Sequence, residues 1–284
     1  MIRFGPSGNS VGFKEAGYKH TLYAPEWMKT LGLSAYELSF GRGFYMKLAT
    51  AKIMGKKAAS NNVKVSVHAP FYINFANQDE KKIQNSIGYI TKGLRYVEAV
   101  QGEHLVFHLA SQGTLTREEA LNLVNKNFDL CLEEVYKLGL GNIKLCPETM
   151  GKFSQIGNDK EIIDFCTRDK LLVPTFDFGH LNCLCQGGLK TKDDYKRIFD
   201  YSFEKLGEEK TKNCHIHFSK IEYTGKGEVR HLNYDSEEFG PDFTPLAEVL
   251  HDYNLTPTII CESKTMMAED ALTLKSIYEN KAKN

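Results

Sequence analysis

The chain has 284 residues, 42% of them hydrophobic and 25% charged, which is an ordinary composition for a globular enzyme. Its 36 basic residues balance 36 acidic ones, and this argues against a protein that binds polyanions over its whole surface. The seven scattered cysteines and the lack of a long apolar run predict a cytoplasmic protein with reduced thiols, no signal peptide and no membrane segment.

A short apolar segment followed by a helix-like segment recurs eight times along the chain. The short segments are 2–4, 35–38, 64–68, 104–108, 144–148, 172–177, 213–218 and 258–262. Apolar residues spaced by three and four predict helices over 83–97 and 121–135, and Thr116 with Glu119 forms a capping box before the second. Eight such units predict an α/β fold, a (β/α)8 TIM barrel in a single domain over 1–284, with a doubly wound sheet as the competing architecture.

Side chains alternate along a barrel strand between the lumen and the surrounding helices. When the apolar side chains face the helices, the third to eighth strands all end in an inward His, Asp or Glu. These residues are His68, His108, Glu148, Asp177, His217 and Glu262, and His180 follows Asp177 by three positions. Barrel enzymes keep their active sites at the C-terminal mouth of the strands, so a functional site is expected there.

This set contains four imidazoles and three carboxylates converging on one cavity. Three crowded carboxylates repel one another unless a cation lies among them, which predicts a metal site. Mixed nitrogen and oxygen ligands without a thiolate favour Zn²⁺, with Mn²⁺ or Fe²⁺ as alternatives. Seven ligands exceed the needs of one tetrahedral ion, so two or three ions are expected, an arrangement suited to phosphoester hydrolysis.

Several of these motifs resemble the endonuclease IV family of apurinic/apyrimidinic endonucleases, over nearly the whole chain. The resemblance rests on 68–74 (HAPFYIN), 107–108, 148–151, 177–180, 215–218 and 261–263. It implies a TIM barrel with a trinuclear zinc site. It also implies a DNA-repair hydrolase, which cleaves the phosphodiester bond 5′ to an abasic site in double-stranded DNA.

The resemblance also implies a role for each ligand. One zinc would be bound by His68 and His108, with Glu148 bridging to a second that Asp177, His217 and Glu262 complete, and a third would be bound by His180 and His231. Glu148 would be the catalytic residue, orienting a metal-activated hydroxide. Family members carry Asp-x-His where this chain has Val229-Arg230-His231. Either the third zinc lacks its carboxylate, or Glu228 supplies one from the preceding position.

Contacts to DNA are expected from two loops. Arg42 lies among aromatic residues in the glycine-containing loop 39–45, a composition suited to probing a distorted duplex. By resemblance, Phe71 and Tyr72 would lie at the abasic gap and Asn74 near a phosphate, although the two aromatic residues could instead pack beneath their loop. The segment 219–243 is too long for a simple barrel connection, which predicts a working loop.

Two other functions remain open at this point. A sugar isomerase or epimerase of the xylose isomerase type would use Glu148, Asp177 and Glu262 with one or two ions. A non-catalytic metal-binding barrel would keep the fold and lack the third ion. The chain is expected to be a monomer.

Overall fold

The computed structural model describes residues 1–281, which form a barrel of eight parallel strands surrounded by helices. The barrel strands are β1 (Arg3–Pro6), β2 (Ala35–Ser39), β3 (Lys64–His68), β4 (His104–Phe107), β5 (Lys144–Pro147), β6 (Thr175–Asp177), β7 (His215–Phe218) and β8 (Thr258–Cys261). The helices are α1 (Val11–Glu15), α2 (Ala24–Leu31), α3 (Leu48–Ser60), α4 (Glu80–Ala99), α5 (Arg117–Lys137), α6 (Asp159–Cys166), α7 (Phe178–Leu184), α8 (Lys192–Lys212), α9 (Thr244–Asp252) and α10 (Met267–Lys281).

The strands pair in two parallel four-stranded sheets, β1-β8-β7-β6 and β2-β3-β4-β5. Parallel bridges join the sheets at both seams, from Ser7 to Glu37 and from Glu148 to Thr175, so that the ring closes. The predicted α/β class and the (β/α)8 barrel are therefore confirmed. The strand predicted over 172–177 is shorter than expected, since Pro174 has no N–H to contribute to a ladder.

Both helices predicted from apolar spacing are present as α4 and α5, with their apolar faces on the barrel wall. The capping box at Thr116 and Glu119 is also formed. None of the described helices combines the length and the apolar character needed to cross a membrane. All seven cysteines are free thiols.

The loop over 219–243 contains an antiparallel hairpin that the sequence did not predict, formed by Lys220–Thr224 and Gly227–Leu232. A second small ladder pairs Ala110–Ser111 with Gln155–Ile156. Both lie beyond the carboxyl ends of the barrel strands and extend the wall around the mouth.

The lumen of the barrel is divided between apolar and polar side chains. Val106, Cys146 and Val173 form a small buried apolar cluster on one side. The inward residues of β2, β3 and β7 on the other side are polar, and Glu37, Ser66 and His215 are buried there. This polar half lies directly below His217, on the same strand as His215.

Candidate metal centre

The predicted ligands lie together at the mouth because each occupies an equivalent place at the end of a strand. His68 and Asp177 are the last residues of β3 and β6, and His217 lies inside β7. His108, Glu148 and Glu262 follow the ends of β4, β5 and β8. Asp177 is also the N-cap of α7, where it accepts a hydrogen bond from the backbone N–H of His180 at 2.7 Å. This cap turns His180 back toward the cavity.

Glu148 is the centre of this arrangement. Its Oε2 lies 2.9 Å from His68 Nε2 and 3.1 Å from His108 Nε2. Its Oε1 lies 3.1 Å from His217 Nδ1 and 3.4 Å from His180 Nδ1. Each carboxylate oxygen therefore faces a different pair of imidazoles, so Glu148 could be shared between two ions if they bound here.

His68, His108 and Glu148 form a first group of ligand atoms that lie close enough to share one ion. A second group comes from Glu148, Asp177, His217 and Glu262. Asp177 Oδ2 is buried and makes no hydrogen bond among the described residues, although it lies 3.3 Å from His180 Nδ1. An unpaired buried carboxylate oxygen is costly unless a cation compensates it. The donor set of nitrogen and oxygen atoms, together with this unpartnered oxygen, fits divalent metal ions of the Zn²⁺, Mn²⁺ or Fe²⁺ type.

A third group contains His180, Glu228 and His231. Glu228 Oε2 lies 3.6 Å from His180 Nε2, and the rings of His180 and His231 have centroids 5.7 Å apart. The hairpin carries a β-bulge here: Arg230 pairs with Glu222 and Glu228 pairs with Tyr223, which leaves Val229 as the extra residue. The bulge directs Glu228 and His231 to the same side although three positions separate them, while Val229 is 47% exposed.

Neighbouring backbone groups fix the orientation of two imidazoles. His68 Nδ1 lies 2.8 Å from the Ala69 carbonyl oxygen, and His180 Nδ1 lies 2.9 Å from the Thr149 carbonyl oxygen. A carbonyl oxygen can only accept, so each Nδ1 donates its hydrogen and each Nε2 is left facing the cavity. Metal-binding histidines are commonly held in this way by a second contact.

The electrostatic balance of the site depends on imidazoles and carboxylates facing one another. Burial alone would raise the pKa of Glu148, but His217 and His108 outweigh burial and hold that pKa well below its usual range. Burial raises the pKa of Asp177, and the Glu148 carboxylate adds to the rise against the opposing effect of His180. For His68, burial opposes protonation, yet its hydrogen bond to Glu148 raises the pKa to about 9. A bound cation would replace protons in balancing these carboxylates.

Glu37 is a buried acidic residue below the site that the sequence analysis did not select. Its Oε2 accepts a hydrogen bond from Ser66 Oγ at 2.8 Å and lies 3.0 Å from His215 Nε2. Its Oε1 lies 3.0 Å from His217 Nε2. The available signal was a charged residue between Tyr36 and Leu38, which both face the helices and so leave Glu37 in the lumen.

The predicted DNA-contacting residues are distributed around the cavity rather than gathered in it. Phe71 lines the cavity and is 49% exposed, and its ring packs on that of Tyr72 at 4.6 Å. Both rings thus face solvent rather than packing beneath their loop. Arg42 is exposed on the adjoining loop over 39–45. Asn74 Oδ1 accepts a hydrogen bond from Ala76 N–H, so this side chain organises its own loop and does not line the cavity.

The mouth encloses a cavity of 420 Å³ that reaches all three groups of ligand atoms. Its wall includes Glu148, His180 and Glu262 from the barrel and Glu228 and His231 from the hairpin. This arrangement could hold several divalent ions side by side and bind one anionic group against them. Such a site is suited to hydrolysis at phosphorus or to proton transfer beside a carbonyl group.

Comparisons with other proteins agree with this architecture. An uncharacterized protein of Methanocaldococcus jannaschii is 32% identical over 278 residues, covering 98% of this chain and 97% of its own length. A protein of Mycoplasma genitalium named as a probable endonuclease 4 is 29% identical over 212 residues, covering 73% of this chain and 68% of its own.

Two solved structures share the fold. A D-tagatose 3-epimerase-like protein superposes with a TM-score of 0.69 at 21% identity, covering 99% of this chain and 97% of its own. Endonuclease IV from Thermus thermophilus superposes with a TM-score of 0.63 at 15% identity, covering 92% and 94%. Residues 25–277 match the family described as Xylose isomerase-like TIM barrel. The chain therefore belongs to the xylose isomerase-like TIM-barrel family.

Proposed function

We propose that this protein is a zinc-dependent hydrolase that cleaves DNA on the 5′ side of abasic sites. The observation that carries the proposal is the presence of three adjoining groups of ligand atoms in one cavity. A barrel enzyme that binds a single ion at Glu148, Asp177, His217 and Glu262 has no need of two further groups containing four more imidazoles. Phosphodiester cleavage does use closely spaced ions.

Each ion would have its own residues. The first ion would be held by His68, His108 and Glu148. Glu148 would also hold the second ion, together with Asp177, His217 and Glu262. The third ion would be held by His180, Glu228 and His231. When bound, such ions supply an activated water and neutralise charge on the phosphate and on the leaving oxygen. Glu228 thus takes the place of the expected carboxylate at residue 229.

The protein's own residues would orient the reaction. Glu148 is held by four imidazoles at the floor of the cavity, so its carboxylate is fixed where a nucleophile must be directed. The exposed rings of Phe71 and Tyr72 at the rim offer apolar surfaces to a gap in the base stack. Lys152 lines the same cavity and is exposed, which suits contact with a flanking phosphate.

The similarity to proteins named as probable endonuclease 4 and to endonuclease IV supports this proposal. Abasic-site preference would follow from the missing base and from bending of the duplex, because the sequence contains no motif that reads base identity.

The direct test is a nicking assay on a duplex with one stable abasic analogue, compared with the same duplex carrying an intact base. Purified protein should be loaded with zinc and its ions counted by elemental analysis. We expect two or three zinc ions per chain and cleavage 5′ to the abasic position, lost with a chelator and restored by zinc. Full metal loading without any cleavage would contradict the proposal.

A sugar epimerase or isomerase is the second candidate, favoured by one observation. Glu148, Asp177, His217 and Glu262 together can bind one ion without help from the other histidines. The two functions separate in a His108→Asn, His231→Asn double variant. A nuclease should lose cleavage in this variant, whereas an epimerase that uses only the four-residue group should keep turnover of a ketose. A protein that retains metal but shows neither reaction would be a non-catalytic binder.

A further inference from the structure

Below the candidate metal centre, a row of polar side chains crosses the lumen of the barrel. His217 Nδ1 faces the site, 3.1 Å from Glu148 Oε1 and 3.6 Å from Glu262 Oε2. The opposite nitrogen, Nε2, faces away from the site and lies 3.0 Å from Glu37 Oε1. Glu37, His215 and His217 are all completely buried. The imidazole of His217 therefore separates the site from a buried carboxylate.

Burial makes this contact energetically important. Neither Glu37 Oε1 nor His217 Nε2 has an aligned hydrogen-bond partner among the described residues, and both atoms are shielded from water. The 3.0 Å approach of these two atoms therefore brings a buried carboxylate oxygen and a buried ring nitrogen together without competition from water. A buried carboxylate left without such a neighbour is strongly unfavourable, because it has lost its hydration and gained no compensating charge.

Glu37 is itself held in place from the other side. Ser66 Oγ donates to Oε2 at 2.8 Å, and His215 Nε2 lies 3.0 Å from the same oxygen. These partners come from β3 and β7, and Glu37 comes from β2. The carboxylate is thus fixed by rigid strands and has little freedom to turn away from His217.

We infer that Glu37 is a positioning residue that holds His217 with its Nδ1 directed at the metal centre. A histidine that binds a metal through one nitrogen commonly donates the hydrogen on its other nitrogen to a carboxylate. That contact selects one tautomer, fixes the ring plane and makes the free nitrogen a better ligand. None of the predicted metal ligands comes from β2, the strand that carries Glu37. The inference rests on the metal-binding part of the proposed function and is independent of the reaction catalysed.

The test measures zinc affinity by competition with a chromophoric chelator in the full-length protein. Glu37→Gln keeps the size of the side chain and removes its charge. We expect the affinity for one zinc ion to fall about 10- to 100-fold, while the number of ions bound at saturation is unchanged. With cobalt in place of zinc, the visible absorption bands of that one ion should also shift.

Glu161→Gln is the matched control. Glu161 is another largely buried carboxylate with several partners, pairing with Arg117 and closing the capping box of α6, but it lies outside the metal centre. This variant should lower the free energy of unfolding without changing zinc affinity or the cobalt spectrum. Equal losses of affinity in the two variants would indicate a general effect of destabilisation and would overturn the inference.

A measurement on the unmodified protein covers the case in which Glu37→Gln does not fold. In the zinc-loaded protein labelled with ¹⁵N, long-range proton–nitrogen spectra should show the hydrogen of His217 on Nε2. A hydrogen on Nδ1 would overturn the inference. So would wild-type zinc affinity in Glu37→Gln.

Two further outcomes separate this inference from other readings. Loss of one whole zinc equivalent at saturation in both Glu37→Gln and His215→Gln would make Glu37, His215 and His217 a metal site in their own right, which contradicts a positioning role. Failure of the wild-type protein to bind zinc would instead contradict the proposed function itself.

Discussion

The two ends of the barrel enclose cavities of similar volume, 420 Å³ at the mouth and 470 Å³ at the opposite end. At the opposite end Lys64 pairs with Glu103, and Lys144 Nζ donates to the Lys170 carbonyl oxygen. At the mouth four imidazoles face Glu148, and Asp177 Oδ2 is buried without a hydrogen bond among the described residues. The two cavities therefore differ in their polar groups rather than in volume: buried carboxylates and imidazoles gather at the mouth, whereas the Lys64–Glu103 pair at the opposite end is exposed.

The largest effect is expected when a glutamate is replaced by glutamine at the mouth, and the same replacement at the opposite end of the barrel is the control. Glu148→Gln removes the charge that four imidazoles surround, and abasic-site nicking should fall about 100-fold or more. Glu103→Gln makes the same change in the opposite cavity, and nicking should be unchanged there. Circular dichroism would check that both variants are folded. Undiminished nicking by Glu148→Gln would remove this residue from the mechanism.

The next effect concerns the third group of ligands. Glu228→Ala should release one zinc ion per chain, because it removes the carboxylate that the bulge brings beside His180 and His231. Val229→Ala alters the neighbouring exposed side chain and should keep the full metal content. Elemental analysis after dialysis against buffered zinc would count the ions. Equal zinc content in the two variants would mean that Glu228 is not a ligand.

A smaller effect is expected at the rim. Phe71→Ala removes an exposed ring beside the cavity, which should weaken binding to abasic duplex by roughly 1 kcal/mol, or about 5-fold. Leu130→Ala shortens another exposed apolar side chain, on α5, and serves as the control. Fluorescence anisotropy in calcium, without turnover, would measure both. If Phe71 only packs against Tyr72, the two variants will bind DNA equally well.

The smallest effect belongs to the opposite end. Burial and the neighbouring His215 imidazole lower the pKa of His104 to about 3, so His104 is neutral in the folded protein. In the unfolded chain the His104 imidazole is protonated below the ordinary histidine pKa near 6.5, whereas in the native state it stays neutral. The free energy of unfolding should therefore decrease as pH falls from about 6.5 toward 3, by at most about 1.4 kcal/mol per pH unit from this group.

Metal-free protein is needed to isolate that dependence. Urea unfolding of the chelated protein at several pH values should show a shallower acid decline in His104→Asn than in the wild type. His20→Asn, which changes an exposed histidine, should follow the wild type. Parallel acid declines in all three proteins would show that His104 contributes nothing to them.

Much of the barrel and of its mouth could be predicted because alternation along a strand is a strong constraint. Once Leu105 and Phe107 face the helices, His108 has only the lumen left, and the same argument places His68 and Glu148. The end of a strand is also easy to locate when Asp177 caps the following helix. These positions follow from the alternation of side chains within one strand, which can be seen in a single sequence.

Two features could be predicted only in part, for different physical reasons. Alternation along its strand places Glu37 in the lumen, but its partner His215 is 178 positions away, so no nearby residue signals the contact. The sequence analysis left Glu228 as one of two alternatives, because its position depends on a bulge that the ordinary strand residues Val229 and Arg230 do not reveal. Asn74 shows a different limit of prediction by resemblance. It lies in a matching motif, but its side chain hydrogen-bonds within its own loop instead of lining the cavity.

The extra residue in the hairpin changes how relatives of this chain should be sought. A search that requires an aspartate two positions before His231 would discard this sequence, although its carboxylate arrives beside the same imidazole. A pattern written as Glu-x-x-His would retain it. The spacing of side chains on one face of a strand is constant only while the ladder is regular, and one inserted residue brings a different carboxylate to the same place.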